Sequence, residues 1–196
     1  MKRIILPVFI LFTVLLAGCA KDGKDGVDGE QGPPGTANVI YSAWFSTNGA
    51  WVESTGANPY YGEFAYYLRP ATAITQAIVD NGAVLCYMKG DPLMEGTAAN
   101  TVFQLPYTVG VGFGFTDLYD FAVTPGNIRY LYKSDDPWED VADLGTISFR
   151  YIIIPGGVAG RGVTPTYQGH TIEELKKMPY EQVAQLFHIP ADGSNH

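Results

Sequence analysis

From residue 37 onward, apolar and polar positions alternate in short runs. Residues 37–45 set Val39, Tyr41, Ala43 and Phe45 on one side and Ile40, Ser42 and Trp44 on the other. That period of two predicts a β-strand. Similar runs at 50–53, 64–68, 83–89, 101–105, 113–123, 128–133 and 146–154 predict further strands. Turn residues separate them, at Asn58-Pro59, Gly90-Asp91-Pro92, Thr124-Pro125-Gly126-Asn127 and Pro155-Gly156-Gly157. Short strands punctuated in this way predict a mainly β chain, an antiparallel β-sandwich or jelly-roll-like head with successive strands as neighbours. The period changes to that of a helix over residues 73–81, where Ile74, Ala77 and Ile78 share a face. Thr72 is the expected N-cap and Gly82 follows the last turn. Further on, Thr171-Ile172-Glu173-Glu174 forms a capping box that opens a helix to Lys177. Pro179 starts another over 180–187, with Val183, Leu186 and Phe187 on its apolar side. One short internal helix and a C-terminal helix pair are thus expected, covering a sheet edge or a sandwich end. Gly110, Gly112 and Gly114 alternate with Val111, Phe113 and Phe115; in one strand they would bare a face for neighbouring Tyr side chains to cover, or for a ligand to approach.

The beginning of the chain is patterned differently. Lys2 and Arg3 precede an apolar run over residues 4–16, too short for a permanent bilayer span and suited to a secretion signal. Leu16-Ala17-Gly18-Cys19 then resembles the lipobox of bacterial lipoproteins. The resemblance implies that residues 1–18 are removed as a signal peptide and that Cys19 carries an acyl anchor such as palmitate. The residue after Cys19 is Ala20, not Asp, which implies outer-membrane sorting; Lys21-Asp22 resembles the Lys-plus-acid tract of surface-exposed lipoproteins. Glycine follows at every third position, Gly23, Gly26, Gly29, Gly32 and Gly35. Only glycine fits the axis of three intertwined polyproline-II chains, so this tract reads as a collagen-like stalk. Two readings stay open: a short triple helix, hence a possible homotrimer, and an extended spacer of about 50 Å at about 3.1 Å per residue.

Charge narrows the partners. The formal net charge is −8. Loss of Lys2 and Arg3 with the leader leaves ten basic residues against 20 acidic, a net −10. Nucleic acid is excluded as a partner, because its phosphates demand a basic surface. The chain has two cysteines. With Cys19 acylated, Cys86 has no disulfide partner, and its apolar neighbours Leu85, Tyr87 and Met88 predict a buried, inert thiol. His170, His188 and His196 carry no zinc-site spacing, so no metal is expected of them. There is no Gly-x-Ser-x-Gly elbow, and Gly156, Gly157, Gly160 and Gly162 lack the Lys-Ser/Thr of a phosphate loop. No catalytic constellation emerges, so no enzyme activity and no cofactor are expected. The densest polar stretch is 134–143, where Asp135, Asp136, Glu139 and Asp140 offer hard oxygen ligands for Ca²⁺ and Trp138 a plane for stacking on sugars. A solvated acidic loop is the simpler reading. Trp44 and Trp51 are the other candidate sugar platforms.

The run from Ala37 to Phe45 behind a Gly-triplet tract, the segment Phe149-Arg150-Tyr151-Ile152-Ile153-Ile154-Pro155-Gly156-Gly157, and the helix over 178–190 together resemble a group of uncharacterised Gram-negative outer-membrane lipoproteins with a short collagen-like Gly-x-y tract. The resemblance spans most of the mature chain. It implies a location and a layout: signal peptide 1–18, acylated Cys19 and stalk to 36, β-rich globular head 37–190, polar tail 191–196. It carries no catalytic residue. The expected function is a lipid-anchored interaction module docked on other envelope proteins; the alternative is a surface module binding glycans or nutrients. A flat apolar patch on the head favours docking, and a groove lined by Trp and carboxylates favours glycan. Replacement Cys19→Ser is expected to abolish fatty-acid incorporation and leave the leader uncut, as read by metabolic labelling; normal incorporation would refute the anchor.

Overall fold

A computed structural model of the protein describes residues 38–58, 62–90, 101–111, 114–136, 147–156, 164 and 166–195. Alternating residues become strands β1 (Ile40–Tyr41), β2 (Phe45–Ser46), β3 (Val52–Asn58), β4 (Gly62–Pro70), β5 (Ala83–Lys89), β6 (Val102–Gln104), β7 (Tyr107–Val111), β8 (Phe115–Thr124), β9 (Asn127–Ser134) and β10 (Ser148–Ile154). The helices are α1 (Gln76–Asn81), α2 (Ile172–Leu175) and α3 (Tyr180–Leu186). Two five-stranded antiparallel sheets result. The first runs β1-β10-β5-β6, with β2 also on β10, and the second runs β3-β4-β9-β8-β7. The head is a β-sandwich, as the period of two implied.

Ring packing fills the space between the sheets. From the first sheet come Cys86, Met88, Phe149, Tyr151 and Ile153; from the second come Ala65, Tyr119, Ile128, Tyr130 and Tyr132, with Trp51 beside β3. Tyr130 and Phe149 stack across the gap with centroids 4.8 Å apart, and Trp51 meets Phe149 edge-on at 6.0 Å. The first sheet is apolar on its other face too. Leu85, Tyr87, Ile152 and Ile154 pack there against Val39, Tyr167, Leu175, Val183 and Ile189. Strands β5 and β10 therefore read as nearly continuous apolar runs, the signature of strands buried on both faces. The C-terminal helices cover this whole face, where the sequence had suggested a sheet edge or a sandwich end. Thr171 caps α2 as expected: its Oγ1 accepts from Glu174 N and its N donates to Glu174 Oε2.

Other expectations shift by a few residues for identifiable reasons. Helix α1 begins at Gln76, and its N-cap is Thr75, whose Oγ1 accepts from Ile78 N; Thr72 lies in the preceding turn. Gly82 follows α1 in extended backbone. A Cβ there would meet Ile154 O at 2.7 Å and Ile78 O at 2.9 Å, so glycine is required by close approach. Strand β7 was not expected, and β8 begins at Phe115. Gly110 lies within β7 and Gly114 turns with φ +90°, so they do not share a strand; Gly112 is outside the described residues.

The expected strand over 37–45 is broken into β1 and β2. Tyr41 pairs with Ile152 and Phe45 with Phe149, so four steps on this side answer three on β10. One extra residue makes a β-bulge, and a bulge reverses the facing of everything beyond it. Val39 and Tyr41 consequently face the helices, whereas Phe45 enters the sandwich. Ser42 holds the bulge in place, its N donating to Tyr151 O at 3.1 Å and its Oγ accepting from Tyr151 N at 3.1 Å.

Arg150 explains the distortion. It sits in β10 on the helix-covered face with 0% exposure. Its Nε donates to Ser42 O (2.8 Å); Nη1 donates to Tyr180 Oη (2.6 Å), Pro190 O (2.9 Å) and Ala191 O (3.1 Å); Nη2 donates to Gly193 O (3.1 Å). The rings of Tyr41, Trp44 and Tyr180 surround the guanidinium at 5.4–6.0 Å. Among the described residues every acceptor is a carbonyl or a hydroxyl, and none is a carboxylate.

Two outcomes test this packing. Gly82→Ala should destabilise the head by about 2 kcal/mol, since two backbone carbonyls must move, and urea unfolding measures it. Burial pushes the Cys86 thiol and the Tyr130 phenol well above their ordinary values of 9.0 and 10.0. The folded state keeps both protonated while the unfolded chain ionises them. Stability is therefore intact below about pH 9 and falls as the pH rises beyond it. A urea midpoint that stayed constant to pH 11 would contradict the burial of these groups.

Candidate functional site

Of the residues singled out in the sequence, those described form no shared cluster. Asp135 extends the β8–β9 ladder: its backbone N donates to Thr116 O, and its carboxylate accepts from Thr116 N. That carboxylate is used in closing the hairpin mouth. Asp136 N donates to Ser134 Oγ at 3.1 Å, a local turn contact. Cys19, Trp138, Glu139 and Asp140 lie outside the described residues. Among the described residues no group of three or more His, Cys, Asp or Glu side chains could hold a metal ion. Trp51 is packed in the sandwich core. Trp44 lies edge-on to Tyr180 at 5.5 Å, with Lys89 Nζ 4.4 Å over its ring. Cys86 is fully buried, in keeping with an inert thiol.

The structure leaves a different feature for interaction, the outer face of the second sheet. Alternation fixes which side chains point there. Ala65 and Tyr67 of β4, Ile128, Tyr130 and Tyr132 of β9, and Tyr119, Phe121 and Val123 of β8 face the core. Their neighbours Phe64, Tyr66 and Leu68, Arg129, Leu131 and Lys133, and Leu118, Asp120 and Ala122 face away. Register lines these up: Val52, Tyr66, Leu131 and Asp120 form one row across the sheet, and Leu68, Arg129 and Ala122 the next. Leu131 is shielded by its neighbours, but Val52 is 49% and Leu68 47% exposed. Phe64, Tyr66 and Leu118 are half-buried. The guanidinium of Arg129 lies over the Tyr66 ring, 5.1 Å from its centroid, a diagonal cross-strand pair.

This face is mixed in chemistry. Five strands at about 4.8 Å spacing and about six residues of strand length give it roughly 500 Å². Arg129 and Lys133 lie on it with Asp120 between their levels, so its charge is locally neutral to positive in a chain of net −8. Covering the exposed halves of Val52 and Leu68 would contribute about 2 kcal/mol to a docked partner.

The sequence held a signal for this face. Phe64-Ala65-Tyr66-Tyr67-Leu68 is apolar at every position, much as the runs 83–88 and 151–154 of β5 and β10 are. Such a strand calls for cover on both faces. In β5 and β10 the C-terminal helices supply it; in β4 the outer positions remain accessible. No described helix is long and apolar enough to cross a membrane. No protein-family model matches the chain, and neither a curated protein nor a solved structure is similar to it.

Proposed function

We propose that this chain is a lipid-anchored outer-membrane protein, of the collagen-like kind that its sequence resembles, whose head docks on other envelope proteins through the open face of the second sheet. Cys19 carries the acyl chain, and residues 20–36 hold the head away from the bilayer at the cell surface. The observation that supports docking is the accessible apolar side of β4, with Leu68 47% exposed and Tyr66 beside Arg129. Soluble domains seldom leave adjacent apolar rows uncovered without a partner. A face of about 500 Å² lies below the size of a standard permanent interface, so the contact is a reversible one. Arg129 and Lys133 suit a partner surface that is apolar at its centre and acidic at its rim. No catalytic step and no cofactor enter this role.

The double replacement Val52→Asp and Leu68→Asp tests it. Both side chains are half-exposed, so the melting temperature should stay within a few degrees of the parent. Crosslinking of the native lipoprotein in its membrane, with quantitative recovery of companions, should lose its principal partner in the variant. Equal recovery from parent and variant would overturn the assignment of this face.

A further inference from the structure

Residues 190–195 contact the body of the head in an unusual manner. All six are exposed, and Ile189 just before them is the last buried residue described. The bonds found for the segment run to main-chain groups or through a single side chain. The carbonyls of Pro190, Ala191 and Gly193 accept from Arg150 at 2.9, 3.1 and 3.1 Å. Asn195 then reads the outer edge of β1. Its N donates to Tyr41 O (3.3 Å), its Oδ1 accepts from Tyr41 N (2.8 Å) and its Nδ2 donates to Val39 O (2.8 Å). The segment is held largely through its own main-chain groups, and one side chain, that of Asn195, supplies the choice.

The groups beneath the segment would form a site without it. Arg150 is fully buried, ringed by Tyr41, Trp44 and Tyr180, and draws on oxygen dipoles alone. A buried guanidinium stripped of its acceptors is strongly unfavourable, so this socket always demands an occupant. The edge of β1 makes the same demand through Val39 O and both main-chain groups of Tyr41. Gly193, at φ +94°, supplies the left-handed step that returns the segment to the edge.

We propose that the Arg150 socket and the outer edge of β1 form a peptide-binding site, which residues 190–195 fill in cis and which takes in trans a second peptide of the same pattern. That pattern is three carbonyls at the spacing of 190, 191 and 193, a glycine at the third, and an asparagine two residues beyond. The site lies on the first sheet and is independent of the docking face.

The test uses the full chain with a protease recognition sequence inserted between Ile189 and Pro190, cut after folding. A fluorescent synthetic peptide of residues 190–196 is titrated into the cut protein and followed by anisotropy, with circular dichroism as the check on fold. Saturable binding is expected. A peptide carrying Asn195→Ala should bind about tenfold more weakly, since it loses two side-chain hydrogen bonds. A scrambled peptide should not bind. Unfolding on cleavage would overturn the proposal, because the segment would then be an inseparable part of the core. So would a folded cut protein that fails to bind the peptide, or that binds the Asn195→Ala or scrambled peptide equally well.

Discussion

A cation buried in the middle of a strand sets the terms for one whole side of this molecule. Arg150 alternates with Phe149 and Tyr151 and shares its face with Ile152 and Ile154, so the pleat directs it toward the helix layer. Burying a lone charge costs several kcal/mol unless hydrogen bonds replace its water. Arg suits the position better than Lys, because a planar guanidinium can hold acceptors in several directions at once. Its acceptors come from three separate stretches of chain. Ser42 O requires the bulge between β1 and β2; Tyr180 Oη fixes α3; the carbonyls of Pro190, Ala191 and Gly193 draw the closing residues across the face. The helix layer thus has a polar centre that gives it a single arrangement, while Leu175, Val183 and Ile189 supply its apolar hold.

The result is an asymmetric sandwich. Among the described residues, one sheet has two covered faces and the other has one. The shared core is aromatic, with Trp51, Tyr119, Tyr130, Tyr132, Phe149 and Tyr151 all buried. Rings bury much area per residue with few rotatable bonds, which suits a core that has no disulfide. Cys86 lies within it as a small apolar group, and burial keeps its thiol protonated. Among the described residues, helices cover one outer face only, and Val52 and Leu68 on the other are about half exposed.

Much of the scaffold is legible in the sequence because local periodicity and capping are local physics. The alternation in β9, the Thr171–Glu174 box and the Pro179 start all operate within a few residues of themselves. What escapes is set by distant partners. Nothing in residues 37–45 announces a bulge, since its cause is a guanidinium more than a hundred residues away. The same Arg150 engages Pro190, Ala191 and Gly193, the last two within the stretch 191–196 that reads locally as a polar tail. Strand β7 escapes because Pro106 precedes it and Gly110 interrupts its short run, so its pairing with β8 is what defines it. At the candidate site, the acidic stretch attracted notice through charge density, yet Asp135 closes a hairpin. The open face was written in Phe64 to Leu68 as apolarity on both sides, and only the placement of the helices shows which side stays uncovered.

The size of that face bears on how it can work. An area of about 500 Å², with two half-exposed aliphatic side chains and a solvent-accessible Arg–Tyr pair, would give weak binding between freely diffusing proteins. Tethering changes the arithmetic. In the proposed anchored state the head explores a volume set by its stalk, and a flexible link of this length brings the effective concentration of a neighbouring membrane protein to the millimolar range. A face too small for tight binding in solution is then largely occupied at the membrane. In that proposed state the stalk and the open sheet face would be complementary: reach would supply the local concentration, and the exposed rows of β4 and β9 the selectivity.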